Sequence, residues 1–532
     1  MACKEIYEIT PGALPSTSAG EVGNKAWNLM RMAAAGLPTP PAFVLPVNWS
    51  RRLSEGKETD SALADTLADG ISRLEKLTGL EFGSSQRPLL VSVRSGSAVS
   101  MPGMLETVLD IGLNQDSVEG LIRSTGNPRL AWDSYRRLIQ GYGEVVRGLP
   151  AGAFDALAAQ AVSNADVESD RELDFRALRQ LARDFLSLYR ELAGEPFPLD
   201  PRKQLCSAAA AVFRSWDAPK AVVYRRLNGI NNNIGTAVTV QKMVFGNAGG
   251  NSGSGVGFTR NPANGERHLY LDFRFNGQGE DVVAGRQRTQ DHDYLRRTVP
   301  AVWRQIETSC QTLETLFRDA QDFEFTLESG TLYFLQSRDE KRTDWAAVRI
   351  AVDLVEEGLI DIDEASRHLS GIDLTSVSRT RFETHSAKPL AHAQPASIGV
   401  VSGALAFDAS SAERMAREGI AVILARHEIA TADISGIASA AGILTATGSR
   451  SSHAAVVARQ LGKVCLVGCT SLKIDPDHKC CNIGKKTFHE GDELSLDGND
   501  GAVYCGRINV LLERPERELK AIAEWEIQKM HV

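Results

Sequence analysis

A chain of 532 residues with 43% apolar and 24% charged side chains has an ordinary globular composition; it is too long for one hydrophobic core and long enough for about three or four domains. Its net charge of −8 is spread without a basic block, so there is no electrostatic footprint for nucleic acid or a membrane surface, and any phosphate site has to be a local basic pocket. The first residues, MACKEIYEIT, carry charge where a signal peptide needs an apolar core, and no apolar run is long enough to span a bilayer; a cytoplasmic protein is expected. The eight cysteines show neither paired CxxC spacing nor a disulfide framework, and reduced thiols are expected, with adjacent Cys480 and Cys481 as the one redox-sensitive pair.

From Gly23 to Gly36 the sequence GNKAWNLMRMAAAG reads as a helix with a glycine stop, and Pro38, Pro40 and Pro41 prevent its continuation. The strand AFVLP follows. In LLVSVRS, Leu89, Val91 and Val93 alternate with Ser92 and Arg94, which turns Arg94 away from the core side. From Asn127 to about Ala193 the pattern is helical, with Leu138, Ile139, Tyr142, Val145 and Val146 at helix spacing; a helical subdomain is expected over about 115–200. Strand-like AVVYRRL and TAVTVQKMVFG precede the glycine-rich GNAGGNSGSGVGFTRNP, and a hairpin follows at QDFEFTLESGTLYFLQSRDEKR. The helical connector WAAVRIAVDLVEEGLIDIDEASRHL leads into a polar stretch, about Ser376 to Gln394, that reads as a linker. Beyond it, GVVSGALAF, AVILAR, GILTA and KVCLVG are short strands around a helix that begins near His453, and ERELKAIAEWEIQKM is a charged helix with little core of its own. The whole is a mixed α/β multidomain protein.

Three features carry chemistry. On the strand DFEFTL, Asp322, Glu324 and Thr326 share one face and Phe323, Phe325 and Leu327 the other. A three-residue loop of Ser329, Gly330 and Thr331 sets Glu324 opposite Gln336 and Asp322 opposite Arg338. A carboxylate beside an amide oxygen suits Mg²⁺, and Arg338 can neutralise phosphate; a solvated polar face with a cross-strand ion pair explains the same residues. Gly253, Gly255 and Gly257 either cradle phosphates through backbone N–H groups or form a flexible turn. In GILTATGSRSSHAAVVARQLGK a strand enters a Gly/Ser-rich turn, and a helix starts at His453, with Ser451 or Ser452 as N-cap, and stops at Gly462. A phosphoryl group on His453 lies near a helix N-terminus and Arg450, and an imidazole with an ordinary pKa of about 6.5 is neutral enough to attack phosphorus. Capping or packing is the plainer role for such a histidine. His427, beside Arg426 and Glu428, is the second histidine suited to phosphate contact.

Read together, GNKAWNL, VSVRSGSAVSMPGMLETVLDIGLN, AWDSYRRLIQGYG, TAVTVQKMVFGN, SGSGVGFTRNPANGE, NGQGEDVVAG, the hairpin and GILTATGSRSSHAAVVARQLGKVCLVG resemble the pyruvate phosphate dikinase family across essentially the whole chain. The wider group includes phosphoenolpyruvate synthase. The resemblance implies an ATP-grasp nucleotide-binding domain over 1–340, a helical connector and linker over 341–394, a swivelling phosphohistidine domain over 395–510 and a C-terminal linker helix over 511–532. It implies ATP and Mg²⁺: Lys25, Arg94, Gly103, Gly253, Gly255 and Arg338 are at the nucleotide and its phosphates with Asp322 in support, Glu324 and Gln336 are at the metal, and His453 is the phosphoryl carrier. Ser100 to Met104, the segment that holds Gly103, matches a mobile loop near the phosphates.

The chain departs from the family pattern at Thr447, where a basic residue is usual, at Ser449 and Arg450, and at Ala26 and Trp27 after Lys25. The family's C-terminal barrel, which binds pyruvate, has no counterpart. The expectation is therefore an ATP-dependent phosphotransferase subunit that forms phosphohistidine and passes it to a small-molecule acceptor on a separate subunit, pyruvate or a phenol or alkylphenol, as in aryl-phosphate synthases. A phosphocarrier acting on another protein, like enzyme I of the sugar phosphotransferase system, and an inactive nucleotide-binding scaffold are the alternatives.

Overall fold

The structure, a computed structural model, describes residues 5–530 except 57–59, 100, 102–103, 168, 280–291, 384–386, 429–433, 449–456, 460 and 476–477. The chain forms two compact units, Met1–Ser252 with Thr326–Arg338, and Gly253–Phe325 with Asp339–Val532. The units do not part at residue 340: Gly253–Phe325, counted in the sequence with the nucleotide-binding part, folds into the second unit.

The first unit is built on an antiparallel sheet in the order Tyr7–Ile9, Ala42–Leu45, Ala237–Lys242, Val91–Gly96, Thr107–Ile111. Strand alternation sorts its faces. Phe43, Leu45, Val91, Val93, Val238 and Val240 enter the apolar core with the helices, while the register sets Ser92 against Gln241 and Arg94 against Thr239 on the opposite face. The expected outward turn of Arg94 follows. The helical part comprises Gln115–Thr125, Pro128–Arg147, Ala151–Asn164, Phe175–Ala193 and Pro201–Arg214. Pro128–Arg147 starts where the Asn127 side chain accepts from Leu130 N and Pro128 occupies the first turn, and it ends at Gly148 in the left-handed region. Leu138, Ile139 and Tyr142 are buried as their spacing requires.

The segment AVVYRRL is a helix, Pro219–Leu227, and not a strand. Pro219 starts it, and the four-residue spacing of Ala221 and Arg225 supplies its buried side. The Arg225 guanidinium lies 4.1 Å over the Trp216 ring and donates to the Trp216 carbonyl. Val222 and Val223 stay substantially exposed.

In the second unit, Gly253–Phe258 lies between Tyr270–Phe275 and Gln321–Glu328. Just beyond the first of these strands, Arg260 is fully buried, forked onto Glu314 at 2.9 and 3.0 Å and bonded to Glu357 at 2.9 Å. Helix Asp344–Glu356 packs with the C-terminal helix Glu516–Met530 through Trp345, Ile350, Leu354, Ile522 and Trp525. That helix has more core than its charged sequence suggests. An eight-stranded sheet runs Ala391–His392, Ala502–Cys505, Glu493–Asp497, Val400–Ala406, Val422–Arg426, Gly442–Thr445, Val464–Val467, Gln394–Ser397. The four strands from Val400–Ala406 to Val464–Val467, all foreseen, are parallel to one another.

The polar stretch 376–394 is not a bare linker. Arg379–Phe382 pairs antiparallel with Val510–Glu513, and Ala391–His392 pairs with Ala502–Cys505. Polarity misled here because an edge strand or two-stranded ribbon can be polar on an exposed face.

Candidate functional site

Lys25 is placed by an interruption in its own helix. Ala19–Ala34 is broken at Gly23, whose φ of 76° and ψ of 155° are not helical. A Cβ on Gly23 would lie 2.4 Å from the Gly96 carbonyl oxygen, so only glycine allows this approach. The next residue, Asn24, donates its backbone N–H to Ser97 O at 3.0 Å and its side-chain amide to Ala98 O at 2.7 Å. Thus the turn bearing Lys25 is fastened to the end of the strand bearing Arg94.

Arg94 reaches back across the same face: its Nη1 donates to the Gln241 Oε1 and to the Leu335 carbonyl, each at 3.4 Å. One turn beyond Lys25, Asn28 donates to the Ser337 carbonyl at 2.8 Å. These carbonyls flank Gln336. Strand alternation puts Gln336, buried, and Arg338, exposed, on one face of Thr331–Asp339. The first unit therefore gathers the Lys25 helix, Arg94 and the Gln336–Arg338 strand within one hydrogen-bonded frame. Asn24, Asn28 and Gln241 were not singled out in the sequence, although GNKAWNL places two asparagines one helical turn apart.

The hairpin keeps its chemical and core faces but changes its loop. Phe323, Phe325 and Leu327 are buried, as is Asp322, while Glu324 is half-buried. The loop is two residues, Ser329 and Gly330, both at positive φ, the conformation of a tight hairpin turn. A two-residue loop opposes Glu328 to Thr331 beside the turn, whereas at the far end of the hairpin Glu340 N donates to the Ala320 carbonyl at 3.3 Å, the offset that a three-residue loop gives. Nearer the turn, Glu328 accepts from Phe245 N at 2.8 Å, and burial pushes its carboxyl above the usual range.

Gly253 and Gly255 do not form a phosphate cradle. Both lie within a strand paired to Tyr270–Phe275. A Cβ on Gly253 would meet the Phe273 ring at 2.2 Å, on Gly255 the Phe325 ring at 2.5 Å, and on Gly257 the Phe323 ring at 2.4 Å. Phe273 and Phe325 are stacked 5.7 Å apart over this strip. Glycine alternates here because aromatic rings occupy the space of the missing side chains.

His453 and Gly103 lie outside the described residues, as do Arg450, Ser451 and Ser452. Around them, Thr447 donates its N–H and its hydroxyl to the His427 carbonyl at 3.0 and 2.9 Å. Residues 457–459 are helical, and Gly462, at φ 63°, follows them as the expected stop. None of the seven described cysteines is in a disulfide, and burial pushes the Cys465 and Cys481 thiols up to about 12, so neither is an activated nucleophile.

Beside Asp322 stands a second buried carboxyl, Glu340. Burial pushes it up to about 9, with Asp319, Asp322 and Glu314 adding to the shift and Arg342 opposing it. Neither of its oxygens has a hydrogen-bond partner among the described residues. Among those residues no group of three or more His, Cys, Asp or Glu is arranged to hold a metal.

Residues 57–306 match the family model for the pyruvate phosphate dikinase AMP/ATP-binding domain, and residues 420–501 match that for the PEP-utilising enzyme mobile domain. The chain is 43% identical over 509 residues to a pyruvate, phosphate dikinase of Clostridium symbiosum and 40% identical over 518 residues to that of Rhizobium meliloti, in each case across 95% of this chain and 58% of the relative. The chloroplastic enzyme of Mesembryanthemum crystallinum is 41% identical over 95% of this chain and 53% of its own length. The chain thus spans a little over half the length of the curated relatives it matches. Among the described residues no helix is long and apolar enough to cross a membrane. By the two matched models and by identity along almost its whole length, the chain carries the AMP/ATP-binding and mobile domains of the pyruvate phosphate dikinase type.

Proposed function

We propose that this chain takes a phosphoryl group from ATP onto His453 and delivers it to a small-molecule acceptor. The imidazole nitrogen attacks the β-phosphorus; the N–P bond forms as the P–O bond to AMP breaks. The terminal phosphate then passes to inorganic phosphate or water, and the retained phosphoryl passes to the acceptor. The observation that carries this reading is the frame in the first unit, where Asn28 and Arg94 donate to the carbonyls on either side of Gln336. It supports Lys25, Arg94 and Arg338 as the cations that face ATP phosphates, with Asp322 in support. Mg²⁺ held by Glu324 and Gln336 would neutralise charge on the transferred group. Domain limits near 340 and 395 belong to the same reading, with the AMP/ATP-binding and mobile-domain matches in its favour.

The acceptor is bound outside the two matched domains, by a separate subunit. The names of the curated relatives favour pyruvate over a phenol-type compound. Incubation with Mg²⁺ and β-³²P-labelled ATP is expected to leave acid-labile label on the chain, and His453→Ala is expected to abolish it. Undiminished label in that variant would refute the carrier assignment. Release of the label on adding pyruvate, only when the native partner fraction is present, supports the separate subunit; release by the chain alone refutes it. Release by phenol and not by pyruvate moves the acceptor to the aryl class.

A further inference from the structure

Gln241 occupies the middle strand of the first unit's sheet, on the face shared with Arg94, with 2% of its surface exposed. Its two amide atoms have different partners. Nε2 donates to the Pro40 carbonyl at 3.2 Å, and Oε1 accepts from Arg94 Nη1 at 3.4 Å. The carbonyl accepts only from the NH₂ end, so the Pro40 contact determines that the oxygen faces the guanidinium. Pro40 itself is steadied by its neighbour, since the Pro41 carbonyl accepts from Lys242 N at 2.9 Å. Arg94 Nη1 also reaches the Leu335 carbonyl. Both of these acceptors are uncharged, so what these two bonds supply to the guanidinium is direction.

We propose that Gln241 is a positioning residue for ATP: the relay from Pro40 carbonyl through the Gln241 amide to Arg94 aims the Arg94 guanidinium at the nucleotide phosphates. The inference rests on Arg94 as a phosphate contact. Gln241 acts through Arg94 and does not itself need to touch the nucleotide. Its exchange for an apolar residue of similar volume removes both ends of the relay, whereas glutamate retains an acceptor, loses the donor to Pro40 and adds charge beside Arg94.

The test measures Mg·ATP and adenosine affinity by calorimetry for wild type, Gln241→Met, Gln241→Glu, Arg94→Lys and the Gln241→Met/Arg94→Lys double variant. Gln241→Met is expected to weaken Mg·ATP about tenfold while leaving adenosine, which has no phosphate, unchanged. In the Arg94→Lys background it is expected to add no further loss, because the two residues act as one unit. Equal losses for ATP and adenosine, or losses that multiply in the double variant, would overturn the proposal by making the role one of packing alone. Should Gln241→Met fail to fold, Gln241→Glu decides: unchanged Mg·ATP affinity overturns the proposal, and a phosphate-selective loss upholds it. Wild-type protein that binds ATP but takes no label from it sinks the phosphohistidine reading and leaves this affinity comparison intact.

Discussion

Two arginines, one within a strand and one just beyond a strand's end, are set among different hydrogen-bond partners in their own units. Arg94, half-buried in the first unit, donates to an amide oxygen and a main-chain carbonyl. Arg260, fully buried in the second, is forked onto Glu314 and bonded to Glu357, with Asp353 at 3.7 Å. Bonds to neutral oxygens give a guanidinium direction; a ring of carboxylates also consumes its charge. Arg260 joins the strand end to helices Pro300–Phe317 and Asp344–Glu356. Its pKa is raised above the ordinary arginine value even though burial acts in the other direction, because Glu314 and Glu357 hydrogen-bond it.

The comparison breaks most sharply under substitution. Arg260→Met leaves buried carboxylates without their cation and is expected to cost about 3–5 kcal/mol of stability, read by denaturant unfolding. Arg94→Met is expected to leave the unfolding midpoint nearly unchanged while weakening ATP. Equal stability losses would erase the distinction between a structural and a phosphate-facing arginine. A smaller effect is expected at the glycine strip. Gly255→Ala drives a methyl group into the Phe325 ring and is expected to cost about 1–3 kcal/mol, with much of the loss recovered in Gly255→Ala/Phe325→Leu. Were Gly255→Ala to fold with unchanged stability and lose only ATP affinity, the phosphate cradle would be restored.

A pH-dependent effect concerns Glu340. Its carboxyl is raised from 4.5 to about 9 in the folded chain, so between these values the folded state holds a proton that the unfolded state has lost. Stability is therefore fully present below about pH 4.5 and falls as pH rises through about 9. Glu340→Gln is expected to unfold at a higher temperature than wild type at pH 8, with the gain vanishing near pH 4.5. A gain independent of pH would assign the effect to packing instead.

Much of the fold was legible because alternation and helix spacing are local. Val91, Val93 and Arg94 sorted themselves correctly, and so did the four parallel strands of the eight-stranded sheet. Loop length was less legible, because Ser329 and Gly330 can open a two- or three-residue turn equally well, and one residue changes the pairs beside the turn. The glycines were misread for a different reason. Glycine records only that space is needed, and whether a phosphate or Phe325 fills it depends on a strand about 70 residues away. Gln241 was invisible for the same cause: its partners Pro40 and Arg94 come from two distant stretches of chain.

The ribbon of Arg379–Phe382 and Val510–Glu513 has a topological consequence. The eight-stranded sheet is entered through one of these strands and left through the other, and their antiparallel register sets Phe382 beside Val510. The sheet is therefore an insertion with adjoining ends, carried on a doubled cord and not on a single thread. Such a module can be excised by joining residues 382 and 510 through a short turn, or transplanted to another protein's hairpin, without stretching either end.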